Sequence, residues 1–315
     1  CDCFVEGRVH HLKNLAKGTR YLPYATSLRM GPLGYQSDAQ SAINVSYNSL
    51  SSYARSLYDA LTQPYPPYAA IGLTNNKQHV QLSDALLQIE NEFYGSIRPK
   101  QPIQSGERPL LALNRRGVEY VEVRCVDLDP YEDIGISRET IAFLDTFLLF
   151  CLTSKSSEDS PEENRSDSEN QYLTAERGRD PALKLTRNNN YVSVKSWGED
   201  IIKACEPLAL KLDTANGTKI HTQAIESAFS KLSNPEETPS ARILNDLDNH
   251  NGSYFDFIMN LSSQYTNNLK THDLSENRLT ELKNNAIASI RRQSEIEATP
   301  QKPFEEFRKE YVSQE

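Results

Sequence analysis

No apolar run in this sequence is long enough to cross a membrane as a helix. The nearest, residues 141–152, falls short of the ~18 residues that a span needs. A basic surplus is also missing: 34 Lys and Arg face 43 Asp and Glu, a formal charge of -9 and a pI near 5.3. That balance excludes a nucleic-acid or anionic-membrane surface as the main partner. Cysteine is scarce and unpatterned. Cys1, Cys3, Cys125, Cys151 and Cys205 are odd in number and contain no C-x-x-C pair, so free thiols in a reducing cytoplasm are expected. Apolar content is modest, 37% hydrophobic with a mean hydropathy of -0.62. The 16 Tyr and 10 Phe nonetheless supply a core, which excludes wholesale disorder. The chain opens on Cys1 rather than Met, and residues 2–8 read as the tail of a strand already under way. A preceding N-terminal portion is therefore expected.

What the sequence does contain is organised around residues 117–128, Gly-Val-Glu-Tyr-Val-Glu-Val-Arg-Cys-Val-Asp-Leu. β-branched and aromatic residues after the polar turn at 114–117 indicate a strand. Side chains alternate faces along a strand, so Val121, Val123 and Cys125 form the expected core face. Tyr120, Glu122 and Arg124 share the other. Residues two apart lie about 6.5–7 Å apart along a strand, beyond a direct ion pair, so Glu122 and Arg124 can serve two ligands. A metal ion suits the carboxylate, and a phosphate or carboxylate suits the planar fork of the arginine. A solvated sheet face whose charges pair with neighbouring strands is the alternative.

Other stretches add candidates. Residues 12–17 read as a short helix closed by Gly18. Residues 21–35 hold two prolines, two glycines and several aromatics around a single arginine, Arg29, a composition typical of a binding loop. Residues 46–62 follow a helical period with Leu50, Tyr53, Ala54, Leu57, Tyr58 and Leu61 on one face. Residues 86–94 alternate like a strand, with Leu87, Ile89 and Phe93 on one face and Gln88, Glu90, Glu92 and Tyr94 on the other. They lead into the cations Arg98 and Lys100. Ser137 is a cap for a helix whose stripe is Ile141, Leu144, Phe147, Leu148 and Cys151. Residues 154–170 are a polar, acidic run expected as a solvated linker or insertion. From Ser196 onward the chain reads helical. Trp197, Ile201, Cys205, Leu208 and Leu212 are spaced for one buried face, Ala224, Ile225, Ala228, Phe229 and Leu232 for another. Phe304, Phe307 and Tyr311 are expected to dock a last helix. The expected division is a mixed sheet region over 1–152, an acidic linker over 153–180 and a helical region over 181–315.

Three long stretches, TRYLPYATSLRMGPLGYQ, LQIENEFYGSIRPK and GVEYVEVRCVDLDP, together with the later GRDPALKL and PSARIL, resemble glutamate–cysteine ligases of the bacterial type. The resemblance spans most of the chain and implies an α+β fold: a glutamine-synthetase-like antiparallel sheet, here a partial funnel, followed by a helical C-terminal half. It implies a monomeric cytoplasmic ligase that joins glutamate to cysteine with ATP through an acyl phosphate, the first step towards glutathione. Magnesium, or manganese in its place, would neutralise the phosphates. Glu122 would then match a metal ligand, Arg124 a catalytic arginine facing the transferred phosphate of ATP, and Arg29 the residue holding glutamate. Tyr35 and Tyr94 would line the cysteine pocket, where a ring suits a polarizable sulfhydryl. The family's further acidic ligands and a histidine belong to an N-terminal portion not matched here. Residues 1–315 alone are thus expected to aggregate and not to turn over, unless Glu90 and Glu92 complete the metal site. A non-catalytic, partner-binding fragment and a ligase joining glutamate to another amine are the competing readings.

Overall fold

The computed structural model describes residues 11–16, 18–31, 33–34, 37–40, 43–76 and 78–313. Strands β1 (Lys13–Ala16) and β2 (Thr19–Tyr21) form an antiparallel hairpin, so the short helix expected over 12–17 is a strand instead. Gly18 turns the hairpin at φ +75°. Six residues give less than two helical turns, too few to offset helix nucleation, whereas pairing with β2 satisfies the same backbone groups.

Helix α1 (Leu50–Thr62) starts at Leu50 rather than Ser46 because Ser49 and Ser52 cap it reciprocally. The Ser49 hydroxyl accepts the Ser52 N–H at 3.0 Å, and Ser52 Oγ accepts the Ser49 N–H at 2.9 Å. Tyr53, Leu57 and Ala60 are buried, while Tyr58, expected beside them, is 48% exposed. Helix α2 (Pro66–Ile71) and the two-residue strands β3 (Thr74–Asn75) and β4 (Gln78–His79) follow.

Residues 86–94 are not the expected strand. The N–H groups of Leu86 and Leu87 donate to Gln63 O and Ala60 O at 2.9 and 3.0 Å, meeting carbonyls that the end of α1 leaves without helical partners. A turn of 3₁₀ helix at Glu90–Glu92 then breaks the alternation. The strand begins later, at β5 (Ile97–Lys100), and pairs antiparallel across helix α3 (Pro109–Arg116) with β6 (Tyr120–Val123). Val45, Tyr53, Leu57, Ala60, Leu87, Phe93, Leu110 and Leu113 make one core. The β6 face expected in a core is open among the described residues: Val121 is 46% exposed and Cys125 is exposed.

Ser137 caps helix α4 (Arg138–Thr153), as expected, but the helix is turned differently. Ala142 and Thr146 are buried and Phe143, Phe147 and Phe150 face the second core, while Ile141 and Cys151 are exposed. The helix is apolar nearly all round, so periodicity cannot phase it. The acidic run expected as a linker is largely helix α5 (Pro161–Arg177). Ser160 caps it, Pro161 fills its first position, and Glu162 and Glu163 sit at the positive end of its dipole. The Asn170 side chain exchanges hydrogen bonds of 2.7 and 2.8 Å with the backbone of Thr186, seating α5 on the hairpin β7 (Lys184–Arg187) and β8 (Asn190–Ser193).

Helices α6 (Val194–Asn216) and α7 (Ile220–Ser233) enclose the second core of Ile202, Cys205, Ala209 and Ile225. Cys205 and Ile225 fall on the expected faces, with Ile201, Ala228 and Leu232 packed against them, while Ile202 and Ala209 join the core, Trp197 and Leu208 are only half-buried and Phe229 is 44% exposed. Helices α8 (Pro239–Leu247), α9 (Tyr254–Lys270), α10 (Glu276–Ala298) and α11 (Phe304–Val312) complete the chain. Arg108 holds α11 by stacking 5.8 Å from the Tyr311 ring and donating to Val312 O at 3.3 Å, and His79 pairs with Glu305. The fold is α+β. Its strands are all antiparallel, in ladders of two among the described residues, and no described helix is long and apolar enough to cross a membrane.

Candidate active site

The β5–β6 ladder places Arg98 opposite Glu122 and Lys100 opposite Tyr120. Lys100 and Arg124 flank the Glu122 carboxylate, while the Arg98 guanidinium is buried against the Phe93 ring and donates to Asn91 O at 3.1 Å. Glu122 Oε2 lies 3.3 Å from Lys100 Nζ and 3.8 Å from Arg124 Nη1. Among the described residues it accepts no hydrogen bond, although the atom itself is buried. The concentration of positive charge suits an anionic ligand.

Beyond β6 the chain meets the loop of residues 22–31. Asp127 is the joint. Its Oδ1 accepts the N–H groups of Leu28 at 3.1 Å and Arg29 at 2.8 Å, and its Oδ2 accepts the Ser27 hydroxyl. Ser27 Oγ in turn accepts the Met30 N–H at 3.0 Å. Arg29 lays its guanidinium along the strand exit, Nε donating to Arg124 O at 2.5 Å. Arg29, Glu122 and Arg124, predicted from distant stretches, are thereby brought together.

Tyr94 is 41% exposed and precedes Ser96, whose carbonyl accepts the Arg124 N–H at 2.8 Å, so it borders the same strand end. Tyr35 lies outside the described residues. Tyr47 braces the ladder from below: its hydroxyl donates to Ile97 O at 2.9 Å, and burial pushes its pKa up to about 12 against the pull of Arg98.

A family model described as glutamate–cysteine ligase matches residues 1–174. The chain belongs to that family. The glutamate–cysteine ligase of Saccharophagus degradans is 43% identical over 317 residues, covering 100% of this chain and 60% of the relative. That of a Janthinobacterium species is 42% identical, covering 98% and 58%. The crystal structure of the Francisella tularensis ligase in complex with AMP superposes with a TM-score of 0.85 at 33% identity, over 97% of this chain and 61% of that one. The chain thus spans about 60% of the length of the curated relatives it matches.

The resemblance implies a divalent cation, and the described residues do not make a site for one. They contain no group of three or more His, Cys, Asp or Glu side chains able to hold a metal, and a hard cation needs about six oxygens. Glu122 offers one carboxylate, already flanked by two cations. Nor do Glu90 and Glu92 complete the set. Glu90 is 6% exposed and takes Arg108 Nε on both oxygens at 3.0 and 3.3 Å, while Glu92 Oε2 accepts the Gln88 N–H at 2.7 Å. Both serve the framework.

Sequence reasoning missed Lys100 as a neighbour of Glu122, Asp127 as the joint, and Arg179, which grips the loop from the helical side. Cross-strand register would have found Lys100. Asp127 and Arg179 lie inside stretches quoted for the resemblance, but only packing reveals which backbone groups they meet.

Proposed function

We propose that this chain carries the glutamate- and phosphate-handling face of an ATP-dependent glutamate–cysteine ligase. The observation that carries the reading is the hydrogen bond between Arg29 Nε and Arg124 O. It ties the arginine assigned to glutamate to the strand whose Arg124 is assigned to the transferred phosphate. In the reaction, a γ-carboxylate oxygen of glutamate takes the terminal phosphoryl group of ATP and ADP leaves. The cysteine amine then attacks the acyl phosphate carbon, losing a proton as the amide forms and phosphate departs. Arg29 grips the substrate carboxylate with its planar fork, and Arg124, with Lys100 beside it, meets the charge of the phosphoryl oxygens in transfer. Tyr94 lines the cysteine pocket, a role that the resemblance also assigns to Tyr35. ATP is the nucleotide substrate; magnesium, or manganese, is the expected cation, and Glu122 would give it one oxygen ligand. No step is derived through the metal, since its other ligands are not among the described residues. A cytoplasmic location accords with the thiols Cys125, Cys151 and Cys205, which are free, and a monomer is the expected state.

Similarity along the whole chain favours a ligase over a non-catalytic binding fragment. The deciding experiment follows phosphate release and γ-glutamylcysteine formation, by mass spectrometry, with each substrate omitted in turn. In the complete enzyme that carries this chain, turnover requiring glutamate, cysteine and ATP together is expected, and residues 1–315 alone are expected to show none. Equal turnover with other small amines would move the reading to a different glutamate–amine ligase.

A further inference from the structure

The loop of residues 22–31 is held at two places, and only one belongs to the sheet. The other is the end of α5. There the N–H groups of Thr26 and Ser27 donate to Ala175 O at 2.9 and 3.3 Å, and Thr26 Oγ1 donates to Thr174 O at 2.6 Å. A helix leaves its last carbonyls without intrahelical partners; the loop supplies donors to Ala175 O and a second donor to Thr174 O, which also takes the Gly178 N–H at 2.8 Å. Gly178 lets the two segments touch: a Cβ there would meet Thr26 Cγ2 at 2.7 Å.

Arg179 closes the seat. Its side chain is 4% exposed. Nη2 donates to Pro23 O at 2.5 Å, Nε to Ala25 O at 3.3 Å and Nη1 to Glu236 Oε1 at 3.4 Å. Its own N–H donates to Tyr24 O at 3.1 Å. Glu236 stands in the turn between α7 and α8, so the helical half reaches the loop through this guanidinium.

The geometry points to Arg179 as a positioning residue for Arg29, setting the loop's grip on glutamate from outside the site. This rests on the reading of Arg29 as the glutamate-binding residue. The physical ground is the lack of slack. Ser27 is bonded to both anchors, Ala175 O through its N–H and Asp127 through its hydroxyl. A single residue, Leu28, separates it from Arg29. One residue spans at most ~3.6 Å, so a shift of the loop on its helical seat passes directly into the Arg29 backbone. Glutamate affinity should follow that shift, while the nucleotide, on the β5–β6 side, should not feel it.

The test compares variants of the active ligase by separate KM values for glutamate and ATP. Arg179→Met is expected to raise KM for glutamate about tenfold or more, a misplacement effect transmitted from outside the chemistry, with KM for ATP within about twofold. Arg179→Lys keeps the charge and one donor and should recover part of the loss. Thr26→Val removes one hydroxyl bond without changing shape and should move KM for glutamate in the same direction, less far. It carries the same test if Arg179→Met does not fold. Trp197, the sole tryptophan, lines a cleft with Thr26, Ser27 and Met30, and its emission should shift to the red in Arg179→Met as the seat loosens. Arg29→Lys is the control. If it raises KM for glutamate while the Arg179 and Thr26 variants raise neither KM, or raise both equally, the positioning role is overturned. If Arg29→Lys leaves KM for glutamate unchanged, the assignment of Arg29 falls and this inference with it.

Discussion

The core beneath α1 and the loop above Asp127 are held by opposite means. The core is a dry cluster in which Leu87 is 0% and Leu57 2% exposed, and its side chains could slide a little without losing the apolar burial that holds them. The loop buries little. It is fixed by directional bonds to one carboxylate, one guanidinium and two helix-end carbonyls. Apolar burial scales with area and tolerates small displacement, whereas a hydrogen bond weakens steeply away from its preferred distance and angle. A framework built the first way gives stability. A site built the second way gives position, which a reaction that must bring a carboxylate to a phosphoryl group requires.

The sharpest way to break that contrast is to damage the core. Leu87→Ala should cost about 2–5 kcal/mol of stability, read from urea unfolding, while KM for glutamate in the folded fraction stays unchanged. A changed KM would mean that the core and the loop are one mechanical unit. Next comes Glu122→Gln, expected to lower turnover about 100-fold, the scale of a single preorganised charge, with little effect on the unfolding midpoint. Normal turnover at limiting magnesium would remove Glu122 from the chemistry. Arg29→Lys is expected to weaken glutamate about tenfold through loss of a two-point grip, with KM for ATP steady; an effect on ATP alone would move Arg29 out of the amino-acid site.

The smallest effect near neutral pH belongs to Asp213, the polar knot of the second core, 4% exposed. Burial opposes its ionisation, but bonds from the Thr222 N–H, the His221 ring, the Thr222 hydroxyl and the His221 N–H prevail and hold its pKa below the usual carboxylate range. A carboxyl that titrates lower folded than unfolded stabilises the fold above its unfolded value of about 3.9. That stability is lost as pH falls through the folded value. The melting temperature should therefore change little near neutrality and fall in acid, and Asp213→Asn should flatten the acid limb. An unchanged acid limb in Asp213→Asn would assign acid unfolding to other carboxylates.

Much of this was legible because it rests on local rules. The cap at Ser137 and the helical reading from Ser196 onward follow from neighbours within a turn of helix. The signals for α5 were equally local, Ser160 followed by Pro161, Glu162 and Glu163. They were outweighed by a composition that resembles a linker because most of that helix faces water. Residues 86–94 failed for a different reason. Their backbone partners, Ala60 and Gln63, lie more than twenty residues away, and no pattern within the stretch can announce them.

The sequence by itself determined the family, the alternation that sets Glu122 and Arg124 on one face, and the choice of Arg29 as the loop's cation, since these depend on residue types and their spacing. Only the tertiary structure decided that Arg29 lies against Arg124, that Asp127 joins the two segments, that Arg179 seats the loop from the helical side, and that Glu90 and Glu92 belong to the framework. Each of those is a hydrogen bond or ion pair between groups distant in the chain, or between a side chain and a backbone atom. Such bonds depend on where the fold brings backbone carbonyls and N–H groups, which every residue carries and no sequence pattern marks.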